Sequence, residues 1–347
     1  MSTNSSRAKT PTSTWVAGVL VLLGLVGALV TYKASGSLAT IAKAQAAHTL
    51  KPRAEAVAST ELPALARPFV RTFNYLAIVW PALVFGVLIG AAVRALIPSA
   101  WVGKLFGASR VRSQLVGGLA GAPLMLCSCC VAPVFAAIHE RTKQAGPTGA
   151  LLLASPSLNP AALALTFLLF TPQLATARLV MAALLVFGVS ALAARYVEEG
   201  AGEPTPCPLE LSARPGAAGF LASFGHEAWQ LAKTTLPMIV GGVLLSALLV
   251  SVVPLERLGE PPFRVASIFL VALVSVPLAL PTFAEIPLAL GLLAAGAPAG
   301  AAVALLVAGP AINLPSLLTI SRMTTPRYAV ALAAGTFLVA VAGGLLV

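Results

Sequence analysis

Long apolar segments recur along the whole sequence, and they limit the folds open to it more than any other feature. An α-helix needs about 20 consecutive apolar residues to cross the hydrocarbon core of a bilayer. Only 10% of the residues are charged, against about 25% in soluble domains, too few to cover a water-facing surface. The sequence therefore predicts an all-α, polytopic membrane protein and excludes a soluble enzyme. Nine runs are candidate spans: Trp15–Tyr32, Phe73–Leu96, Gln114–Ile138, Gly149–Phe170, Leu174–Ala194, Thr234–Pro254, Val265–Ala295, Gly300–Ile320 and Tyr328–Val347.

These spans divide the chain into two membrane halves joined by polar connectors. Residues 1–72 hold a polar tail, one extra transmembrane helix and a connector, and residues 195–233 form the second connector. The first half is residues 73–194 and the second half is residues 234–347. We interpret the first run as a retained helix rather than a cleaved signal, because no A-x-A site follows it closely. Each connector has about 40 residues, the lower limit for an independent domain, so we expect neither enzyme activity nor a cofactor.

The chain is basic, with 22 Lys and Arg against 11 Asp and Glu and a net charge of +11. Most of the excess lies in short segments between apolar runs, where positive charge sets topology and contacts anionic lipid headgroups. We therefore expect a lipid bilayer and a small solute as partners, and no nucleic acid. With nine spans the two sides would carry equal numbers of Lys and Arg, so the count leaves open the orientation in the cell (inner) membrane. The oligomeric state is also open.

An internal duplication at a spacing of 154 residues is the most informative feature. Ala145–Asn159 reads AGPTGALLLASPSLN and Ala299–Asn313 reads AGAAVALLVAGPAIN, with eight of fifteen positions identical and no gap. Internal repeats are typical of transporter folds, in which the substrate binds near the midplane between the repeats. Four spans in each half would make the halves parallel. Three spans, with one segment folding back, would make them inverted, and the spacing alone does not decide between the two.

Each half contains two apolar segments that are interrupted at matching places. The breaks are Pro123–Pro133 and Ser155–Pro160 in the first half, and Pro277–Pro287 and Gly309–Pro315 in the second. A proline inside a helix removes a backbone hydrogen bond and clashes with the preceding turn, at a cost of about 3 kcal/mol. In lipid such a break persists only where it lines a cavity or packs against protein. Four polar breaks in symmetric pairs favour a binding site over simple kinks.

Three of the four cysteines, Cys127, Cys129 and Cys130, lie inside the first break. One buried cysteine usually packs as a small apolar side chain. Three within four residues can approach one centre, and soft metals prefer thiolate ligands. We therefore expect these thiols to bind substrate, without a resident metal, whereas Cys207 in the connector has no assigned role.

Three further polar residues are candidate site residues. Asn159 and Asn313 lie directly beside two of the breaks, where an asparagine can cap a half-helix, hydrogen-bond the substrate, or do both. Glu285 lies in the break Pro277–Pro287 of the second half, and a carboxylate at that depth costs at least about 2.5–3.5 kcal/mol to insert. We expect Glu285 to couple transport to protons or to pair with a cation.

The stretch GAPLMLCSCCVAP (121–133), followed by a charged turn and AGPTGALLLASPSLNP (145–160), resembles the signature of a bacterial predicted-permease family. That family includes the ArsP-type efflux permeases for trivalent organoarsenicals. The resemblance covers residues 73–347 and implies a permease fold and transport of a small solute. The second half of this chain has no cysteine, so a thiol site with ligands from both halves is not expected.

The sequence thus predicts a secondary permease that exports a small thiophilic or metalloid-type solute through a midplane site. It lacks the nucleotide-binding motif G-x-x-x-x-G-K-[ST], so an ion or substrate gradient would supply the driving force. The alternative is a membrane-embedded thiol–disulfide electron carrier, because Cys127 and Cys130 have C-x-x-C spacing. Such a carrier would need a reactive cysteine in each half, and the second half has Pro281–Ala284 at the matching place.

Overall fold

The computed structural model describes residues 12–51, 54–58, 63, 66–96, 110–198, 217–252 and 264–347. In these ranges the chain is helical and contains no β-strand, which confirms the all-α prediction. Five helices are long and apolar enough to cross a membrane, and the number rises to seven if each of two bent helix pairs is one span. The sequence predicts nine, and the difference lies in two of the predicted spans, described below.

The first half begins with α2, which follows the extra N-terminal helix α1. The helices are α1 (Thr12–Ala47), α2 (Arg67–Leu96), α3 (Arg110–Gly121), α4 (Ser128–Thr142), α5 (Ala145–Ser157), α6 (Pro160–Leu169) and α7 (Pro172–Ala183). Helix α7 continues through a π-helical turn, Leu184–Val189, into two short helical turns that extend the span to Val197.

The second half begins with α8, and its next helices start at the spacing found in the sequence. The helices are α8 (Ala217–Val252), α9 (Arg264–Ser275), α10 (Glu285–Ala294), α11 (Ala299–Ala311), α12 (Leu314–Met323) and α13 (Pro326–Leu345). Helices α9, α11 and α12 begin and end 154 residues after α3, α5 and α6. Helix α13 also begins 154 residues after α7.

Helices α3 and α4 form a hairpin that enters and leaves at the same end of the molecule. Helix α3 runs in the direction of α5, because Gly117 packs against Pro147 and Gly121 against Leu151. Helix α4 runs against α5: its far end, at His139, lies beside Thr148, and the turn before it, at Leu126, bonds Ser155. The predicted span Gln114–Ile138 is therefore not one crossing helix. We call this element hairpin 1.

Helices α9 and α10 form a matching hairpin, which we call hairpin 2. Ile268 of α9 lies beside Gly300 at the start of α11, and Glu285, the first residue of α10, lies beside Gly309 near the end of α11. Helix α10 then returns to the start of α11. The predicted span Val265–Ala295 is thus also a hairpin, which explains why the structure has fewer crossing helices than the sequence predicts.

The end where α2 finishes is called the A end, and the opposite end is the B end. Arg94, in the last turn of α2, pairs there with Glu140 of α4 and with Glu227 of α8. Tyr328 at the start of α13 donates to the Ala145 carbonyl oxygen, 2.7 Å away, so α5 and α13 also begin at the A end.

Equivalent helices of the two halves run in opposite directions. Arg94 of α2 lies opposite Glu227 of α8. One turn before Arg94, Gly90 lies opposite Leu231, which is one turn after Glu227. Helices α2 and α8 are therefore antiparallel.

Helices α7 and α13 are antiparallel too. Val189 packs on Gly335, and Met181 packs on Gly343. Gly343 lies 154 residues after Val189, and Gly335 lies 154 residues after Met181. A shift by the repeat spacing therefore converts the first contact into the second. A two-fold relation between the halves produces such a pair of contacts.

Candidate substrate site

The three clustered thiols lie together at the tip of hairpin 1. Their Sγ atoms are all within 4.8 Å of one another, and all three cysteines are free and buried. The sulfur separations are 3.3 Å for Cys127–Cys129, 3.8 Å for Cys129–Cys130 and 2.6 Å for Cys127–Cys130. Three thiolates arranged around one metal at about 2.3 Å lie about 4 Å apart. The three thiols therefore converge on one point, and binding of a soft centre would move the Cys127 and Cys130 sulfurs apart.

The backbone of the tip holds the thiols in this arrangement. A 3₁₀ turn, Ala122–Leu124, contains Pro123 and ends at Met125 in the left-handed region, with φ 50°. The Ser155 hydroxyl of α5 then bonds both the amide and the carbonyl of Leu126, so the tip is fastened to the neighbouring half-helix. Cys127 occupies the N-cap position of α4 without a side-chain cap hydrogen bond, and the other two thiols lie in the first turn of that helix. A helix N-terminus favours an anionic sulfur or ligand.

Helix α2 closes the other side of the thiol cluster. The Tyr75 hydroxyl lies 2.9 Å from the Cys129 sulfur, and a Cβ atom on Gly86 would lie 2.1 Å from the Cys130 carbonyl oxygen. No side chain fits at that distance, so glycine at position 86 allows α2 to touch the first turn of α4. The cluster is therefore enclosed by α2, α4 and α5.

Asn159 and Asn313 occupy the breaks that the sequence predicts. Helix α5 bends by 41° into α6 at Asn159, and α11 bends by 44° into α12 at Asn313. The Asn159 Oδ1 accepts from the amides of Ala161 and Ala162. Asn313 forms a capping box with Ser316. Both asparagines thus cap a half-helix, and Asn159 also keeps a buried Nδ2 with no hydrogen-bond partner.

Glu285 lies buried in the first turn of α10, directly after the tip of hairpin 2. Arg178 of α7 donates from Nη2 to its Oε1 at 2.9 Å, and the two side chains are 1% and 3% exposed. A second Arg178 nitrogen, Nη1, donates to Thr166 Oγ1 at 2.5 Å. The pair joins the first half to the second, and it supplies the cation that the sequence suggested as one explanation for a carboxylate at this depth.

The structure does not bring these residues to one shared contact. The thiols are at one hairpin tip and Glu285 is beside the other, while each asparagine lies at the break of a half-helix beside its own hairpin. A groove of about 520 Å³ lies elsewhere, between α8, α9 and α13, and its lining includes Ser246 and Phe337 but none of the predicted site residues.

Comparison with known proteins identifies the family. A family described as "Predicted permease" matches residues 65–347, most of the chain. The chain belongs to this permease family. The resemblance seen in the sequence is thereby confirmed, and the protein is a multi-pass membrane transport protein.

Two relatives of the permease carry only systematic names. UPF0718 protein YraQ of Escherichia coli (strain K12) is 32% identical over 249 residues, which are 72% of this chain and 71% of the relative. UPF0718 protein MJ0584 of Methanocaldococcus jannaschii is 33% identical over 88 residues, about a quarter of each chain. No solved structure matches the permease.

Sequence reasoning missed Arg178, the partner of Glu285. The signal was present, because Arg178 is a charged residue inside the predicted span Leu174–Ala194. A charge within a membrane span is by itself a candidate functional residue. Its partner could not be found from the sequence, because the two residues are 107 positions apart.

Proposed function

We propose that this permease is a secondary transporter that exports a small thiophilic or metalloid-type solute through a site at the interface of its two halves. The observation that carries the proposal is the thiol cluster Cys127, Cys129 and Cys130 at a hairpin tip, fastened to a half-helix at the level of its break. Half-helix ends that meet at the midplane are the usual substrate sites of transporters built from repeats.

The proposed architecture is a pair of inverted repeats, residues 73–194 and 234–347. Each repeat would have three crossings and one hairpin that returns to its own side. The antiparallel packing of α2 on α8 and of α7 on α13 supports this arrangement. An odd number of crossings per repeat places the second repeat upside down relative to the first, which allows one site to open alternately to either side.

In this proposal the thiols hold the solute and the asparagines complete the site. Three sulfurs select a soft centre over hard cations, which prefer oxygen ligands. Asn159 contributes its free Nδ2 as a hydrogen-bond donor, and Asn313 orders the matching half-helix. Glu285 exchanges a proton and so couples transport to the proton gradient across the cell (inner) membrane.

The thiol–disulfide carrier has less support than transport. Positions 281–284 of the second half, Pro-Thr-Phe-Ala, offer no thiol to receive electrons on the other side. Cysteine pairs of a carrier must also meet an external reductant, whereas these three are 4% exposed or less.

A resistance and accumulation screen of a strain lacking this permease tests the proposed cargo. The panel is arsenite, antimonite, trivalent methyl- and phenylarsenicals, and silver, with magnesium as the hard-cation control. Loss of the permease should raise sensitivity to at least one thiophilic compound and raise its cellular content, and the intact gene should restore both. Unchanged sensitivity and content across the whole panel would contradict the proposed cargo class.

A further inference from the structure

Arg178 is a permanent positive charge inside a membrane span. A guanidinium does not lose its proton in proteins, so it needs an anionic partner whenever water is excluded. The partner in the structure is Glu285, 2.9 Å away. Four helices pack against α7, namely α5, α6, α11 and α13, and Glu285 itself belongs to α10. In the described residues of these five helices, the other charged or titratable side chains are Arg327 and Tyr328, in the first turn of α13 at the A end.

These partners do not satisfy all the hydrogen-bond donors of the Arg178 guanidinium. Nη1 donates to Thr166 and Nη2 donates to Glu285, but the buried Nε has no hydrogen-bond partner. An unsatisfied buried donor is costly, by about 1–3 kcal/mol and more in a charged group. The Nε–H of Arg178 is therefore available to a further acceptor.

Protonation of Glu285 would leave the charge of Arg178 uncompensated. The proton would come from water and stay on the carboxylate, which becomes a neutral acid. A lone guanidinium at this depth is unfavourable by at least about 2.5–3.5 kcal/mol, and the side chain is 1% exposed, so water does not compensate it. Entry of one small anion restores neutrality and supplies an acceptor for the free Nε.

We propose that Arg178 binds a small monovalent inorganic anion of the halide class when Glu285 takes up a proton. One proton and one anion then occupy the site together, and they leave together when the Arg178–Glu285 pair re-forms. The inference rests on the proposed role of Glu285 in coupling, and it adds a co-ion to the proton. Transport would then be sensitive to the anion present as well as to pH.

Equilibrium binding of radiolabelled chloride to the purified full-length protein in detergent tests the proposal. For wild type, the Kd for chloride should weaken about tenfold for each pH unit once the carboxylate is the dominant form, because one proton is bound with each anion. Glu285→Gln should bind chloride with a Kd that does not change with pH. Arg178→Gln should lose binding, whereas Arg195→Gln, at an exposed position of the same span, should keep the wild-type Kd and pH slope.

Two results would overturn the proposal: no chloride binding by wild type from about pH 5 to pH 8, or binding whose Kd does not change with pH. The wild-type series decides even if a variant fails to fold. The double variant Arg178→Gln/Glu285→Gln keeps neutral hydrogen-bonding partners, and it should fold without binding chloride. The chloride-binding assay uses neither cargo nor a gradient, so a negative result leaves the proposal of thiophilic transport intact. Conversely, chloride binding can still be measured if the transport proposal fails.

Discussion

Arg178 donates to Glu285 at 2.9 Å across the boundary between the two halves, and both side chains are buried. The positions equivalent to these residues in the opposite halves are Leu332 and Val131. The ion pair therefore has no counterpart at the positions 154 residues away. A feature that the duplication does not need for its packing is a candidate for function, because a structural requirement would apply to both halves.

The pair should show strong energetic coupling. Removing one partner leaves a buried uncompensated charge, which costs about 3–5 kcal/mol, whereas replacing both is often nearly neutral. We expect Arg178→Gln to lower the Tm of the purified protein clearly, and Arg178→Gln/Glu285→Gln to recover most of the loss. Thermal unfolding in detergent, with chloride replaced by gluconate, measures both. Equal Tm values for the single and double variants would show that the pair does not couple.

Glu285→Gln should separate transport from the proton gradient. The amide keeps the shape and the hydrogen bonding of the carboxyl but cannot titrate, so the variant should bind cargo yet lose gradient-driven transport. Flux into proteoliposomes, with and without an imposed proton gradient, provides the comparison. Glu227→Gln at the A end is the matched control, and it should retain the gradient response. An unchanged response in Glu285→Gln would remove this residue from the coupling mechanism.

Gly86→Ala should disturb the thiol cluster by pushing α2 away from α4. The added Cβ would lie 2.1 Å from the Cys130 carbonyl oxygen, and a backbone atom cannot move aside as a flexible side chain can. We expect a lower Tm and faster reaction of the three thiols with a small polar maleimide. Gly241→Ala is the control: its Cβ meets no atom within 4 Å, and alanine favours the helix by about 1 kcal/mol. Equal thiol reactivity in both variants would contradict the close approach.

Hairpin 1 should place both of its ends on one side of the membrane, and that side should be the cytoplasm. Positive residues are concentrated at cytoplasmic ends. Among the side chains that the structure describes from α2 onward, those at the A end include Arg94, Arg112, Arg141, Lys143, Arg195, Arg322 and Arg327, against Arg67 and Arg71 at the B end.

Single cysteines in a cysteine-free background test this topology. Val111→Cys and Lys143→Cys, before and after hairpin 1, should both resist an impermeant maleimide in intact cells. Ala295→Cys at the exposed turn after hairpin 2 should react. Labelling of only one of the first two would indicate that the segment crosses the membrane, as nine spans require.

The local features of the site were predictable because they depend on short stretches of sequence. Prolines marked the four interrupted segments, although Pro133 and Pro287, the closing prolines of two predicted breaks, lie inside α4 and α10. Asn159 and Asn313 cap half-helices, which is one of the two roles that the sequence suggested for them. Such features follow from backbone chemistry within a few residues.

The path of the chain through the membrane was not predictable in the same way. Hydropathy records that a segment such as Gln114–Ile138 is apolar, but it does not record whether the segment crosses or returns. The return depends on contacts such as Leu126 with Ser155, 29 residues away. Counting the two hairpins as crossings also produced the tie in positive charge that left the orientation open. The Arg178–Glu285 pair was missed for the same reason, because it is a long-range contact.

The most direct test of the account is the flux of a trivalent methylarsenical through the purified protein in proteoliposomes, with and without the three clustered thiols. Wild type and Cys207→Ser should carry the compound equally. Cys127→Ser/Cys129→Ser/Cys130→Ser should fold normally, because serine nearly conserves the side-chain volume, yet transport at least about tenfold more slowly, since a hydroxyl is a poor ligand for a soft centre. Wild-type flux in the triple variant would contradict the claim that the thiol cluster is the substrate site.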